Sequence, residues 1–174
     1  MPLLRGLSSL RAVLTALTGI TALYIGLVAF GNITDFGTNK EFVEHVLAMD
    51  TTFRSPHTMW RAVTSPGAVT TAYVAIIAWE TLTALVLAAG FVAWLRKRTT
   101  GTALRLARIG WLMQVLLFAC GFLVIGGEWF QMWQSGKWNG LQPAFQNTVI
   151  AAVGLVLAHL PERRAPEEPV PAAP

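Results

Sequence analysis

Charge is what this chain has least of. Only 13% of its 174 residues are Asp, Glu, Lys or Arg, while 54% are hydrophobic. A soluble domain carries about 25% charged residues, so an ordinary water-soluble fold is excluded. Cysteine is nearly absent: Cys120 stands alone, which rules out an intramolecular disulfide. The chain also contains no His-Glu-x-x-His, no Gly-x-Ser-x-Gly and no Walker loop. No reaction class can therefore be read from a motif, and no cofactor is expected.

What is present is apolar sequence in long blocks. Four stand out: Ala12 to Gly31, Ala68 to Leu95, Ile109 to Gly127, and a weaker Asn147 to Leu160 that borrows residues from Leu141 onward. A hydrocarbon core of about 30 Å needs about 20 helical residues. The blocks predict an all-α, polytopic membrane four-helix bundle with spans at about 12–31, 68–95, 109–127 and 143–160. Residues 1–160 then form one membrane domain, with outer segments at 32–66 and 128–146. The first block is too long for a secretory signal core, and no small-x-small cleavage pattern follows it, so it is read as a retained helix. No lipidation pattern appears.

Basic residues give the orientation, because cytoplasmic segments carry the excess of Lys and Arg. Arg5, Arg11, Arg96, Lys97, Arg98, Arg105, Arg108, Arg163 and Arg164 fall on one side, against Lys40, Arg54, Arg61 and Lys137 on the other. Both termini are expected in the cytoplasm. The cluster from Arg96 to Arg108 reads as a loop between two spans and has no interleaved aromatics on which bases would stack, so nucleic acid is not an expected partner. Tryptophan prefers the headgroup level. Trp94 and Trp111 flank the basic loop, Trp60, Trp129, Trp133 and Trp138 lie in or beside the outer segments, and only Trp79 falls deep in a span.

The longer outer segment has structure of its own. Thr38-Asn39-Lys40-Glu41 fits a capping box, and Phe42, Val43, Val46, Leu47 and Met49 form an apolar face, predicting a short helix over about 39–49. Ser65-Pro66-Gly67 then breaks the chain before the second span, and Trp138-Asn139-Gly140 marks a turn before the fourth.

Two stretches of these segments carry a resemblance. The run Asn32-Ile33-Thr34-Asp35-Phe36-Gly37, continued by Glu41 to Thr51, is similar to the signature of the bacterial domain-of-unknown-function family 2165, described as predicted small integral membrane proteins. Glu128 to Ser135, followed by Trp138-Asn139-Gly140, resembles its second signature. The resemblance covers roughly residues 10–160 and implies a multi-pass protein of the bacterial inner membrane with no established activity. Both motifs lie in the outer segments, which makes Asp50, Trp60, Glu128, Trp133 and Trp138 candidates on that face. The tail, residues 161–174, is rich in Pro, Glu, Ala and Arg and is expected to be disordered in the cytoplasm.

Glu80 is the one charge in the second apolar block. With Tyr73 at the interface it lies about 10 Å into the hydrocarbon at 1.5 Å per residue. An ionised acid there costs about 2.5–3.5 kcal/mol even on insertion scales, so Glu80 is expected to face the bundle. It either binds a proton or ligand in a cavity or is held by hydrogen bonds that fix packing. Tyr73 and Thr83 share its helix face, with Thr21, Tyr24, Gln114 or Cys120 as possible partners across the bundle. His45 and Met49, spaced i, i+4, are a copper-type donor pair, but the default reading is Met49 as packing and His45 as a surface hydrogen-bonder. The outer acids Asp35, Glu41, Glu44, Asp50 and Glu128 are expected to pair with Lys40, Arg54 and Arg61. Thr18, Ala22 and Gly26, and Gly154 with Ala158, form small faces that allow close helix contact within the chain or with another copy.

Three functional classes follow: an accessory or scaffold component of a membrane assembly with a membrane-protein partner or as a homo-oligomer, a small carrier or channel element using Glu80, and a membrane enzyme or copper-handling protein. The expected surroundings in every case are the lipid bilayer.

Overall fold

A computed structural model describes residues 9–96 and 100–160. The expected disorder of 161–174 and the placement of Arg5, Lys97, Arg98, Arg163 and Arg164 lie outside the described residues. The described residues form helices joined by turns and loops, with no strand, and four helices are long and apolar enough to cross a membrane. Helix α1 is Leu10–Thr34, the short α2 is Phe36–Ala48, and α3 is Pro66–Leu95. Helix α4 is Thr100–Val115 and continues as a wider, π-wound segment, Leu116–Trp129, before α5, Leu141–His159. In the π-wound segment hydrogen bonds run to the fifth residue back, as in Phe130 N–H to the Ile125 carbonyl at 3.0 Å.

Local chemistry sets these boundaries. The Ser9 side chain accepts from the Ala12 N–H at 3.2 Å, which caps α1, and Pro66 opens α3 where its missing donor costs nothing. Threonine hydroxyls inside the spans return to their own helix: Thr15, Thr18, Thr21, Thr81, Thr83 and Thr148 each donate to the carbonyl four residues back. That satisfies a polar group where water is absent.

Helix ends are tied to their neighbours. The last carbonyls of a helix have no partner of their own, and each span borrows a donor from elsewhere. Tyr73 donates to the Asn32 carbonyl at 2.9 Å, Arg11 to Trp94 O at 2.9 Å, Arg61 to Trp129 O at 3.3 Å and Arg108 to Ala158 O at 3.0 Å. Around the bundle α1 packs on α3, α3 on α4, α4 on α5, and α5 returns to α1. Large apolar side chains such as Ile20, Leu23, Leu27, Phe30, Leu82 and Leu85 are exposed on the outside, as lipid-facing helices require.

Several expectations change here. The segment from Thr100 is helix, so Arg105 and Arg108 stand on α4 and not in a loop; the alanines Ala103 and Ala107 favour helix and are fully buried. Trp111 is not at an interface: it is 0% exposed, and Trp94 is buried beside it in the same core. A Cβ at Gly154 would overlap the Trp111 indole, so that glycine is the seat of the ring. Trp79, in contrast, is partly exposed on the outside of the bundle and donates to the Met113 carbonyl at 2.9 Å. The small faces of α1 and α5 are used inside the chain: Gly26 meets Ala84, Thr18 meets Gly90, and Gly154 receives Trp111.

The short helix starts earlier than expected. Asp35 alone separates it from α1, and no side-chain cap bond forms at its start. Thr38 and Glu41 therefore lie inside the helix and the capping box is not made. Phe36, whose ring centroid sits 4.8 Å from that of Tyr73, anchors the start upstream. Helix α2 and the segment before α5 form a cap over one end of the bundle. Thr51 donates to Ser135 Oγ at 2.8 Å, Phe53 N–H to Gln134 Oε1 at 2.8 Å, and Thr58 to Gln131 Oε1 at 3.0 Å. The two motif-bearing stretches are thus bonded to one another.

Candidate functional site: a polar cavity beneath the cap

Glu80 sits near the middle of α3 and is 2% exposed. Its Oε2 accepts from Asn32 Nδ2 at 2.7 Å, near the end of α1. The Asn32 backbone carbonyl in turn accepts from Tyr73, one helical stretch above Glu80 on α3. One asparagine thus joins the carboxylate and the phenol. These residues line a cavity of about 380 Å³. Tyr24 and Val28 form its α1 wall, Phe118 and Phe122 its π-wound wall, and Asn147 its α5 wall. Asn39, Phe42 and Val43 of α2 cover it from the cap, together with Asn139 and Gly140.

A second polar cluster adjoins the first. Asn147 Nδ2 lies 3.2 Å from the Tyr24 hydroxyl and 2.9 Å from the Pro143 carbonyl. Gln114, 1% exposed, donates to both the Asn147 carbonyl and its Oδ1, at 3.3 and 3.2 Å. Its own Oε1 is buried without a donor. No Lys, Arg or His lines the cavity, and the ion pairs among the described residues do not include Glu80. The carboxylate is held by one amide donor and faces an open space.

The expected residues divide. Glu80, Tyr73 and Tyr24 are brought together around the cavity, whereas Thr83 donates to the Trp79 carbonyl of its own helix at 2.7 Å and takes no part. Thr21 accepts from Trp111 Nε1 at 3.4 Å, and Cys120 is exposed on another face. Neither they nor Gln114 reaches Glu80. The true partner, Asn32, stands at the end of the first apolar block, where it reads as a span boundary; an amide at the edge of an apolar run is the signal that points to it and to Asn147.

On the cap, His45 and Met49 are not joined. Met49 is fully buried at the left-handed C-cap of α2, while the His45 ring stacks on Trp138 with centroids 4.6 Å apart. His45 Nδ1 contacts Asp50 Oδ2 at 2.7 Å and its Nε2 lies 3.7 Å from Glu41. No group of three or more His, Cys, Asp or Glu is placed to hold a metal ion among the described residues. The expected pairing of outer acids with Lys40, Arg54 and Arg61 gives way to other contacts. Histidine takes the acids Glu41 and Asp50, while the Arg61 guanidinium lies over the rings of Trp60 and Trp129, 5.6 and 4.7 Å from their centroids. An aromatic face offers a guanidinium a partner that needs less desolvation than a carboxylate does. Trp60 and Trp133 are exposed, Trp138 is half-buried, and Glu128 is exposed at the end of the π-wound segment.

The model of a family described as predicted small integral membrane protein (DUF2165) matches residues 10–161. No curated protein and no solved structure matches the chain.

Proposed function

The chain belongs to the predicted small integral membrane proteins of DUF2165, and from that premise we propose that it binds a small solute within the bilayer, in the cavity beneath α2, with Glu80 as the anchoring group. The observation that carries this reading is a buried carboxylate lining a space of about 380 Å³ that no basic side chain enters. A Glu used only for packing, neutral and hydrogen-bonded across helices, would be enclosed by close-packed side chains and would not open onto a cavity. Glu80 receives Asn32 alone and otherwise faces the cavity. The test is dicyclohexylcarbodiimide, an apolar reagent that adds to accessible intramembrane carboxyl groups. Mass spectrometry of the purified protein in nanodiscs is expected to find the adduct on the peptide bearing Glu80 and to lose it in Glu80→Gln. An unlabelled wild-type peptide would count against an accessible cavity.

The exposed aromatics of the cap favour a second reading, an accessory component that docks a membrane partner there. Phe53 is 72% and Trp60 70% exposed. Purification in mild detergent is expected to retain a stoichiometric partner that Phe53→Ser with Trp60→Ser releases; a chain that elutes only with copies of itself removes this reading. Arg11, Arg96, Arg105 and Arg108 gather at the opposite end, which supports a cytoplasmic location for both termini in a bacterial inner membrane. A C-terminal green fluorescent protein fusion that stays dark in a bacterial host would reverse that orientation.

A further inference from the structure

We infer that the solute is an organic ammonium, a cation on an apolar body, whose charge rests between Glu80 and the surrounding aromatic rings. The inference rests on the reading of the cavity as a solute site and narrows it to a chemical class. Charge is the first argument. The wall carries a single carboxyl group and no cationic side chain, so an anionic solute finds no counter-charge there and a neutral one offers none to an ionised Glu80. A cation supplies what the chain does not.

The wall decides which cation. Tyr24, Tyr73, Phe42, Phe118 and Phe122 all border the space, and Phe118 and Phe122 stack with centroids 5.5 Å apart to give a continuous aromatic surface. Aromatic faces attract ammonium groups by about 0.5–2 kcal/mol each when water is excluded. A small inorganic cation needs several oxygen ligands at once. Here the Asn32 carbonyl already accepts from Tyr73, and the Asn147 and Asn139 Oδ1 atoms accept from Gln114 and the Leu141 N–H, so the oxygens of the wall are largely engaged while five aromatic rings border the space. That set suits a weakly hydrated organic cation.

Room for the apolar body lies alongside. A second pocket of about 190 Å³, lined almost wholly by apolar side chains, runs between α2 and the π-wound segment toward Phe130 and Met132. It shares Phe42, Val43, Ile76 and Phe122 with the polar cavity, so these four side chains form the partition between the two spaces. A charged head at Glu80 would set its apolar body against these four side chains, whose movement would open the second space to a longer chain.

The experiment is calorimetric titration of the protein in zwitterionic nanodiscs with hexyltrimethylammonium, against hexanol and hexanoate, with empty nanodiscs subtracted. Saturable binding of the ammonium alone is expected. Glu80→Gln, checked for an unchanged melting profile, is expected to weaken it at least ten-fold. Phe122→Leu, which keeps the site apolar and removes a π face, is expected to weaken it about three-fold. Equal binding of hexanol or hexanoate, or binding indifferent to Glu80→Gln, overturns the ammonium class. Failure of the ammonium to bind while carbodiimide still labels Glu80 also overturns it and leaves the solute cavity standing. Failure of both removes the two readings together.

Discussion

The two halves of the bundle solve the same packing problem in opposite ways. In the half that carries the start of α1 and the end of α5, large side chains are buried against glycine. Trp111 fills the notch at Gly154, Leu87 that at Gly110, and Gly90 brings α3 against the α4 backbone at Ala107. In the half beneath the cap, the helices leave a space of about 380 Å³ lined by amides, two phenols and a carboxylate. One half is closed by contact and the other keeps an open space. The difference teaches that the polar groups of the cap half are not needed to close the bundle, since a tighter solution is available to the same chain a few turns away.

The largest way to break this contrast is to fill the notch. Gly154→Leu places a side chain inside the Trp111 ring and is expected to cost about 3 kcal/mol or more, at the upper end of overpacking penalties, read as a fall in the melting temperature measured by detergent size exclusion. A variant that melts like the wild type would mean that the basic half is no tighter than the cap half. An intermediate effect is expected at the cap. Ser135 Oγ accepts from Thr51 and also from the Trp138 N–H, at 2.8 and 2.9 Å. Ser135→Ala is expected to cost about 1–2 kcal/mol and to speed hydrogen exchange in α2 while sparing α4. Uniform exchange across both helices would show that the cap does not move independently. The smallest stability effect is expected at Glu80→Gln, less than about 1 kcal/mol because the isostere keeps a hydrogen bond to Asn32. Its loss of carbodiimide labelling then separates occupancy from packing; a large destabilisation would place Glu80 among the packing residues.

The spans were legible because hydropathy over some 20 residues is a strong signal in a chain with so few charges. Glu80 was legible for the same reason, as a lone exception. Its surroundings were less so. Asn32 and Asn147 stand at the edges of apolar blocks, where polarity is ordinary, and only three-dimensional packing turns them inward. Thr83 has the right spacing to join Glu80, yet a threonine hydroxyl in a helix has a carbonyl of its own within reach. Trp111 misled because an amphipathic ring next to basic residues is more often interfacial, and nothing local announces that Gly154 will make room for it. The capping box failed because Phe36 extends α2 past Thr38. The meeting of the two motif-bearing stretches was not visible at all, since it depends on side-chain bonds between segments far apart in sequence.

Arg11 and Arg108 each donate to the penultimate carbonyl of a helix other than their own, Trp94 and Ala158. A guanidinium in that position is a mechanical cross-tie as well as a charge. The reciprocal bond from Tyr73 on α3 to the end of α1 makes α1 and α3 a strut held at both ends. Replacing Arg11 with lysine would preserve the basic count of its end of the bundle while removing the planar fork that makes the joint. Charge bias and the register of the struts are therefore carried by the same atoms, and neither can be tuned without disturbing the other.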